Sequence, residues 1–148
     1  MNEYYRLPDK TAETVVNGWL HTGDIGRIDE EGYVYLLDRK KDMIISGGLN
    51  VYTTEVENAL QKHQDVSQVA VIGVPHEDWG EAVLALIIPI HENVDKEDIL
   101  NFCNQNLAKY KRPKYVEFRS SFPVTPYGKI DKKQLRKEFW DTLGRQFN

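Results

Sequence analysis

Two apolar runs, Val69 to Val74 and Ala82 to Ile88, set the pattern of the second half of the chain. A strand with one wet face alternates apolar and polar residues. Near-continuous runs of this kind therefore predict interior strands covered on both faces by helices. Thr54 to His63 predicts such a helix, with Val56, Ala59, Leu60 and His63 on one face and Thr54 and Glu57 at capping-box spacing. Asp95 is placed to cap a second helix running through Leu107, and Asp131 a third with Leu135 and Phe139 inward. Tyr115 to Phe118 reads as a further strand, and Met43-Ile44-Ile45 as a short one followed by the tight turn Ser46-Gly47-Gly48. The predicted class is α+β, a small mixed sheet with helices packed on it.

Upstream, Ile25 to Ile28 and Tyr33 to Leu37 flank the turn Asp29-Glu30-Glu31-Gly32 and predict a β-hairpin. A lone hairpin is marginal in water, so this one is expected to belong to something larger. Asp38-Arg39-Lys40-Lys41-Asp42 then breaks the apolar pattern with five consecutive charges, which suits a linker. No repeat or low-complexity segment occurs.

Composition adds that this is globular material, with 41% hydrophobic and 28% charged residues among 148. No apolar run approaches the length of a membrane span, and Met1 is not followed by an apolar secretory core, so a cytoplasmic location without a transmembrane segment is expected. The single cysteine, Cys103, excludes an internal disulfide. It shares a helical face with Ile99 and Phe102, as a buried thiol would. His21, His63, His76 and His91 lack metal-ligand spacing, and no protein-bound metal is expected.

Charge is unevenly spread behind the net value of −4. Residues 1–108 hold 8 basic against 19 acidic side chains, whereas residues 109–148 hold 11 against 4. The basic segment suits an anionic partner. Its aromatics Tyr115, Phe118 and Phe122 form no base-stacking array, so a small polyphosphate ranks above nucleic acid. Within this segment Pro123-Val124-Thr125-Pro126-Tyr127-Gly128-Lys129-Ile130-Asp131 sets one lysine after a glycine and just before a capped helix. Two readings of Lys129 stand on these residues alone, a charge presented to a phosphate and a solvated basic tail.

Four segments in order now define a resemblance. Trp19-Leu20-His21-Thr22-Gly23-Asp24, the Asp38 to Asp42 run, Ser46-Gly47-Gly48-Leu49-Asn50-Val51-Tyr52 with Glu55-Val56-Glu57, and Pro123 to Lys133 together resemble the C-terminal part of the adenylate-forming acyl-CoA synthetases. The wording around Gly47-Gly48 is similar to the fatty-acyl and carnitine-type CoA ligase branch. The resemblance covers essentially the whole chain. It implies a division into residues 1–38, a β-hairpin ending the large N-terminal AMP-binding domain; residues 39–42, a hinge; and residues 43–148, a mobile C-terminal lid. It implies ATP with Mg2+ and coenzyme A as substrates, a carboxylic acid of the fatty type, and the chain's own N-terminal adenylation domain as partner. The phosphate loop and acyl pocket of such enzymes are not in this sequence, so the chain on its own is expected to be inactive. A stand-alone, non-catalytic nucleotide or coenzyme A binding module reusing the same lid is the alternative.

The resemblance also assigns residues. Asp24 matches the family position that accepts the ribose hydroxyls, and reads otherwise as an aspartate stabilising its own turn. Arg39 matches an arginine on the nucleotide, where its planar fork suits phosphate, and reads otherwise as a linker charge. Asn50 matches a nucleotide contact in some relatives and reads equally as a turn former. Lys41 matches the hinge, or is a plain surface lysine. Gly47 and Gly48 match the loop lining the pantetheine tunnel, where a side chain would obstruct a narrow ligand, and are also a tight hairpin turn. Ile45 stands where several family members carry lysine, so that contact is not expected. Lys109, Lys111 and Arg112 read as a solvated basic face sooner than as contacts to coenzyme A phosphates. Lys129 matches the lysine that neutralises charge during adenylation.

Overall fold

A computed structural model describes residues 3–144 of the chain. It divides into two compact units, Met1–Lys41 and Asp42–Asn148.

The first unit holds α1 (Pro8–Thr14), a two-stranded ladder of β1 (Val15–Val16) and β2 (Trp19–Leu20), and a hairpin of β3 (Asp24–Ile28) and β4 (Val34–Arg39). Pro8 suits the first helical turn, where its missing N–H costs nothing. Asn17 and Gly18, both at positive φ, make the two-residue turn between β1 and β2. Asp29 closes the β3–β4 turn, its carboxylate accepting the N–H groups of Glu31 and Tyr33. Those bonds hold its carboxyl below the usual aspartate range despite partial desolvation, which acts the other way. None of residues 3–41 is buried, and Trp19, Ile28, Val34 and Leu36 are largely exposed. The described residues of this unit form no core of their own.

The second unit has two cores. Its five-stranded sheet runs β6 (Leu49–Val51), β5 (Ile44–Ser46), β8 (Gly80–Pro89), β7 (Val66–His76), with β9 (Tyr115–Phe118) parallel to β8. Since β7 takes one edge of β8, β5 and β9 share the other: β5 pairs only at Ser46–Gly80, and β9 runs from Leu84–Tyr115 to Ile87–Phe118. The apolar runs anticipated from the sequence are β7 and β8. Their odd positions Val69, Val71, Val83, Ala85 and Ile87 pack with Val56 and Leu60 of α2 (Thr53–Leu60) and Ile99 and Cys103 of α3 (Lys96–Asn106). Their even positions Ala70, Ile72, Val74, Ala82, Leu84 and Leu86 pack with Leu135 of α4 (Lys132–Gly144). Helices on both faces explain runs without alternation. The class is the expected α+β.

Asp95 caps α3 through the Glu97 N–H at 2.9 Å, and Asp131 caps α4 through the Gln134 N–H at 3.1 Å, as expected. Thr54 is not the cap of α2. Helix α2 begins at Thr53 with Tyr52 as its cap, which leaves Thr54 already inside the helix. Glu57 turns instead to the open edge of β7, where its Oε1 accepts the Val71 N–H at 2.7 Å. Trp140 donates to the Gly73 carbonyl on the same strand at 3.2 Å. Two side chains thus cover an edge that would otherwise offer unpaired backbone groups. His63 lies beyond the end of α2, its ring edge-on to Phe102 at 4.9 Å.

Candidate functional site

In the first unit, strand register brings two of the expected residues together. Asp24 opens β3 directly opposite Arg39, which closes β4, and Arg39 Nε lies 3.4 Å from Asp24 Oδ1. Gly23, at φ +79°, sets the turn before them, the Thr22 hydroxyl accepts the Asp24 N–H at 3.1 Å, and the Lys40 N–H donates to the Gly23 carbonyl at 2.8 Å. A cavity of about 480 Å³ opens here, lined by Thr22, Gly23, Arg39, Lys40 and Lys41. An exposed ion pair adds little to stability. Asp24 Oδ1 engages the guanidinium at Nε, and Arg39 also lines the cavity. Three cations around one opening, with the Asp24 carboxylate paired to one of them, suit a ligand carrying phosphate and hydroxyls.

In the second unit, the β5–β6 hairpin turns on Gly47 and Gly48, at φ +57° and +81°. Positive φ at both central positions is the geometry of a two-residue hairpin turn and strains any residue with a side chain. Beside the Ser46–Gly80 pair, hydrogen bonds tie this hairpin to β8 and to the residue before it. The Gly47 N–H donates to the Trp79 carbonyl at 3.0 Å, and the Ile45 N–H to Glu81 Oε2 at 2.8 Å. Asn50 lies not in the turn but in β6, opposite Ile45. Where β5 and β9 part along the edge of β8, the Lys114 N–H bonds the Val83 carbonyl at 2.8 Å. A cavity of about 450 Å³ opens at this seam, bordered by Gly47, Leu49, Trp79, Tyr110, Arg112 and Lys114 among others. Trp79 stacks on His76 at 4.6 Å, and the Lys114 ammonium sits 3.8 Å from its ring centroid. Such a cavity, mostly apolar with cations at its margin, has the chemistry to suit a narrow ligand ending in anionic groups.

The basic face around residue 110 proves to be only partly solvated. Lys111 Nζ bonds both carboxylate oxygens of Glu55, at 2.6 and 2.7 Å, and that carboxylate raises the lysine above its usual range. Arg112 donates from Nε to the Leu107 carbonyl at 2.9 Å and from an Nη to the Asn104 carbonyl at 2.8 Å. The sequence suggests a solvated face, yet Arg112 fastens the end of α3, and Lys111 the first turn of α2, to the segment that borders the cavity.

Lys129 sits on a third feature. Thr125-Pro126-Tyr127-Gly128 is a turn closed by the Gly128 N–H to the Thr125 carbonyl at 2.9 Å, and the Thr125 N–H returns to the Lys129 carbonyl at 2.7 Å. Gly128 takes φ +76°, the positive-φ position that follows such a turn in a three-residue hairpin loop. Val124 bridges Ile130, the Asp131 N–H bonds the Pro123 carbonyl at 2.8 Å, and Ile130 packs on the α4-side core. The backbone under Lys129 is therefore rigid, and its side chain is exposed. Lys129 borders neither cavity. Sequence reading missed Trp79, Glu81 and Lys114. A tryptophan amid His76-Glu77-Asp78 and Gly80-Glu81, between two apolar strands, was the available signal.

An α+β domain carrying a glycine hairpin at a sheet seam and a lysine on a rigid turn is of the class found at the C-terminus of adenylate-forming enzymes. The sequence pattern of the AMP-binding enzyme C-terminal domain matches residues 55–129, just over half of the chain, and the chain belongs to that family. It is 46% identical over 143 residues to a long-chain-fatty-acid–CoA ligase of Mycobacterium tuberculosis, a match covering 97% of this chain and 28% of that protein. It is 46% identical over 149 residues to a fatty acid–[acyl-carrier-protein] ligase of Streptomyces coeruleorubidus, covering 100% of this chain and 29% of that one. Among solved structures, ATP-bound MatB from Rhodopseudomonas palustris superposes with a TM-score of 0.86 at 40% identity, over 95% of this chain and 28% of that chain. The chain thus spans under a third of the length of these relatives.

Proposed function

We propose that this chain is the C-terminal part of an AMP-forming, ATP-dependent acyl-CoA synthetase acting on a fatty acid. A carboxylate oxygen attacks the α-phosphorus of ATP, the bond to the β-phosphate breaks, and acyl adenylate and pyrophosphate result. The thiol sulfur of coenzyme A then attacks the acyl carbon, AMP leaves, and the thiol proton passes to solvent. Magnesium arrives on the phosphates of ATP. Both small substrates are cytoplasmic pools, and we place the reaction there; no helix of the described residues is long and apolar enough to cross a membrane.

The observation that carries this reading is the separation of two devices within one unit. Lys129 stands on a rigid turn outside the cavity that the Gly47 turn borders. One charge for a phosphate and one channel for a thiol-bearing ligand are what two successive half-reactions need. In the first, the Lys129 ammonium neutralises charge as carboxylate and phosphate meet. In the second, Gly47 and Gly48 let a pantetheine arm pass close to backbone while Lys109 and Lys114 face its phosphates. Asp24 holds the ribose hydroxyls, Arg39 a phosphate, and Asn50 a further part of the nucleotide. Lys41 serves as the pivot between an N-terminal adenylation domain, which supplies the acyl pocket, and the unit beginning at Asp42.

In the complete enzyme, Lys129→Ala is expected to slow adenylation by roughly two to three orders of magnitude while sparing thioester formation from supplied acyl adenylate. Equal loss in both half-reactions would refute the assignment. The 148-residue chain alone is expected to show no carboxylate-dependent ATP–pyrophosphate exchange.

A further inference from the structure

Lysines 129, 132 and 133 fall within five residues, and the fold treats them differently. Lys129 and Lys133 are exposed, whereas Lys132 is turned inward. Its Nζ lies 2.7 Å from Glu57 Oε1 and 2.9 Å from the hydroxyl of Thr53, which is fully buried. The same Glu57 oxygen accepts the Val71 N–H, so one ammonium joins the start of α4 to the start of α2 and, through it, to β7.

Helix α4 has other contacts that dock it. Farther along, Leu135 is buried, Arg136 pairs with Asp42 at 2.9 Å, Glu138 with Arg119 at 3.1 Å, and Trp140 bonds the Gly73 carbonyl. Leu135 closes the first turn, and the other three act beyond it. Lys132 is the first residue of α4 and fastens the end from which the turn Thr125–Lys129 projects. That turn is stiff and is joined to the helix start through the Asp131 N–H and the Val124–Ile130 bridge. A tilt at the helix start is therefore transmitted to Lys129 without being absorbed on the way.

We propose that Lys132 is a positioning residue for adenylation, which sets where Lys129 stands by clamping the first turn of α4 to Glu57 and Thr53. The inference rests on the role given to Lys129 above. A misplacement of about 1 Å in a reacting group costs up to roughly 100-fold in rate. Thioester formation, which does not use Lys129, is untouched.

The test uses the complete enzyme. Lys132→Met removes the cation facing the Glu57 carboxylate and could unfold the unit, so it is paired with Lys132→Met/Glu57→Gln, which removes both charges of the pair and keeps an acceptor for Val71. Both are expected to slow adenylation about 10- to 100-fold. Thioester formation from supplied acyl adenylate stays at the wild-type rate, and the double variant keeps the wild-type melting temperature. Lys132→Arg recovers most of the loss, and Lys133→Met has no effect. In a Lys129→Ala background, Lys132→Met adds nothing, because its effect passes through the missing ammonium. Wild-type adenylation in the double variant, equal slowing of both half-reactions, or an additive loss on Lys129→Ala overturns the proposal. If Lys129→Ala itself adenylates normally, the assigned function falls and this inference with it. Loss in Lys129→Ala without loss in the Lys132 variants removes only the inference.

Discussion

Gly73 lies within β7, opposite Val83, where nothing in the turn chemistry calls for glycine. A methyl group there would sit 3.2 Å from the carboxylate carbon and both carboxylate oxygens of Glu81. That carboxylate accepts the Ile45 N–H and supplements the one ladder pair, Ser46–Gly80, by which β5 joins β8. Gly73→Ala therefore sets two effects against each other. Replacing a glycine within a strand by alanine is worth about 0.5–1 kcal/mol. Displacing a charge-assisted hydrogen bond costs about 1.5–3 kcal/mol. In the wild-type background the loss is larger, and the substitution should destabilise the second unit by about 1–2 kcal/mol. With Glu81→Ala already in place the carboxylate is gone, and Gly73→Ala should stabilise by about 0.5–1 kcal/mol. Urea denaturation of the 148-residue chain, followed by far-ultraviolet circular dichroism in the wild type and the three variants, measures both values. An effect of the same sign and size in both backgrounds refutes the reasoning.

Burial pushes the Cys103 thiol up to about 11, against about 8.5 for an unfolded cysteine. Above the unfolded value the unfolded chain sheds a proton that the folded one retains, so stability is full below it and falls as pH rises toward the folded value. The loss should approach roughly 3 kcal/mol, absent in Cys103→Ser, by chemical denaturation at pH 8 and pH 11. Arg112→Ala should lower the denaturation midpoint by the equivalent of about 2 kcal/mol, since the guanidinium donates to two carbonyls at the end of α3. An unchanged midpoint would argue that the side chain is there only for a ligand.

The second unit was legible because its signals are local and redundant. The apolar runs at β7 and β8, the caps at Asp95 and Asp131, and the Gly47-Gly48 turn each state their structure within a few residues. Glu57 stands at capping-box spacing from Thr54, but Thr54 is not the cap of α2, and Glu57 reaches partners 14 and 75 positions away in Val71 and Lys132. Long-range partners leave no local trace. Lys111 and Arg112 were misread for the same reason, as Glu55 is 56 residues from Lys111. The β1–β2 turn is a different case: Asn17-Gly18 is a strong hairpin signal, but the flanking strands are two residues each and too short to show alternation.

The hairpin of the first unit has a consequence for the chain as a material. Tyr33-Val34-Tyr35-Leu36-Leu37 is an uncharged, β-prone pentapeptide, and Tyr33, Val34 and Leu36 stand more than half exposed. Such a segment is a nucleus for intermolecular cross-β stacking. Asp29, Glu30 and Glu31 precede it and the five charges from Asp38 to Asp42 follow it, an arrangement that makes stacked copies repel at both ends. The charged run that breaks the apolar pattern is therefore also a gatekeeper: neutralising it should turn a coreless hairpin into an aggregation seed.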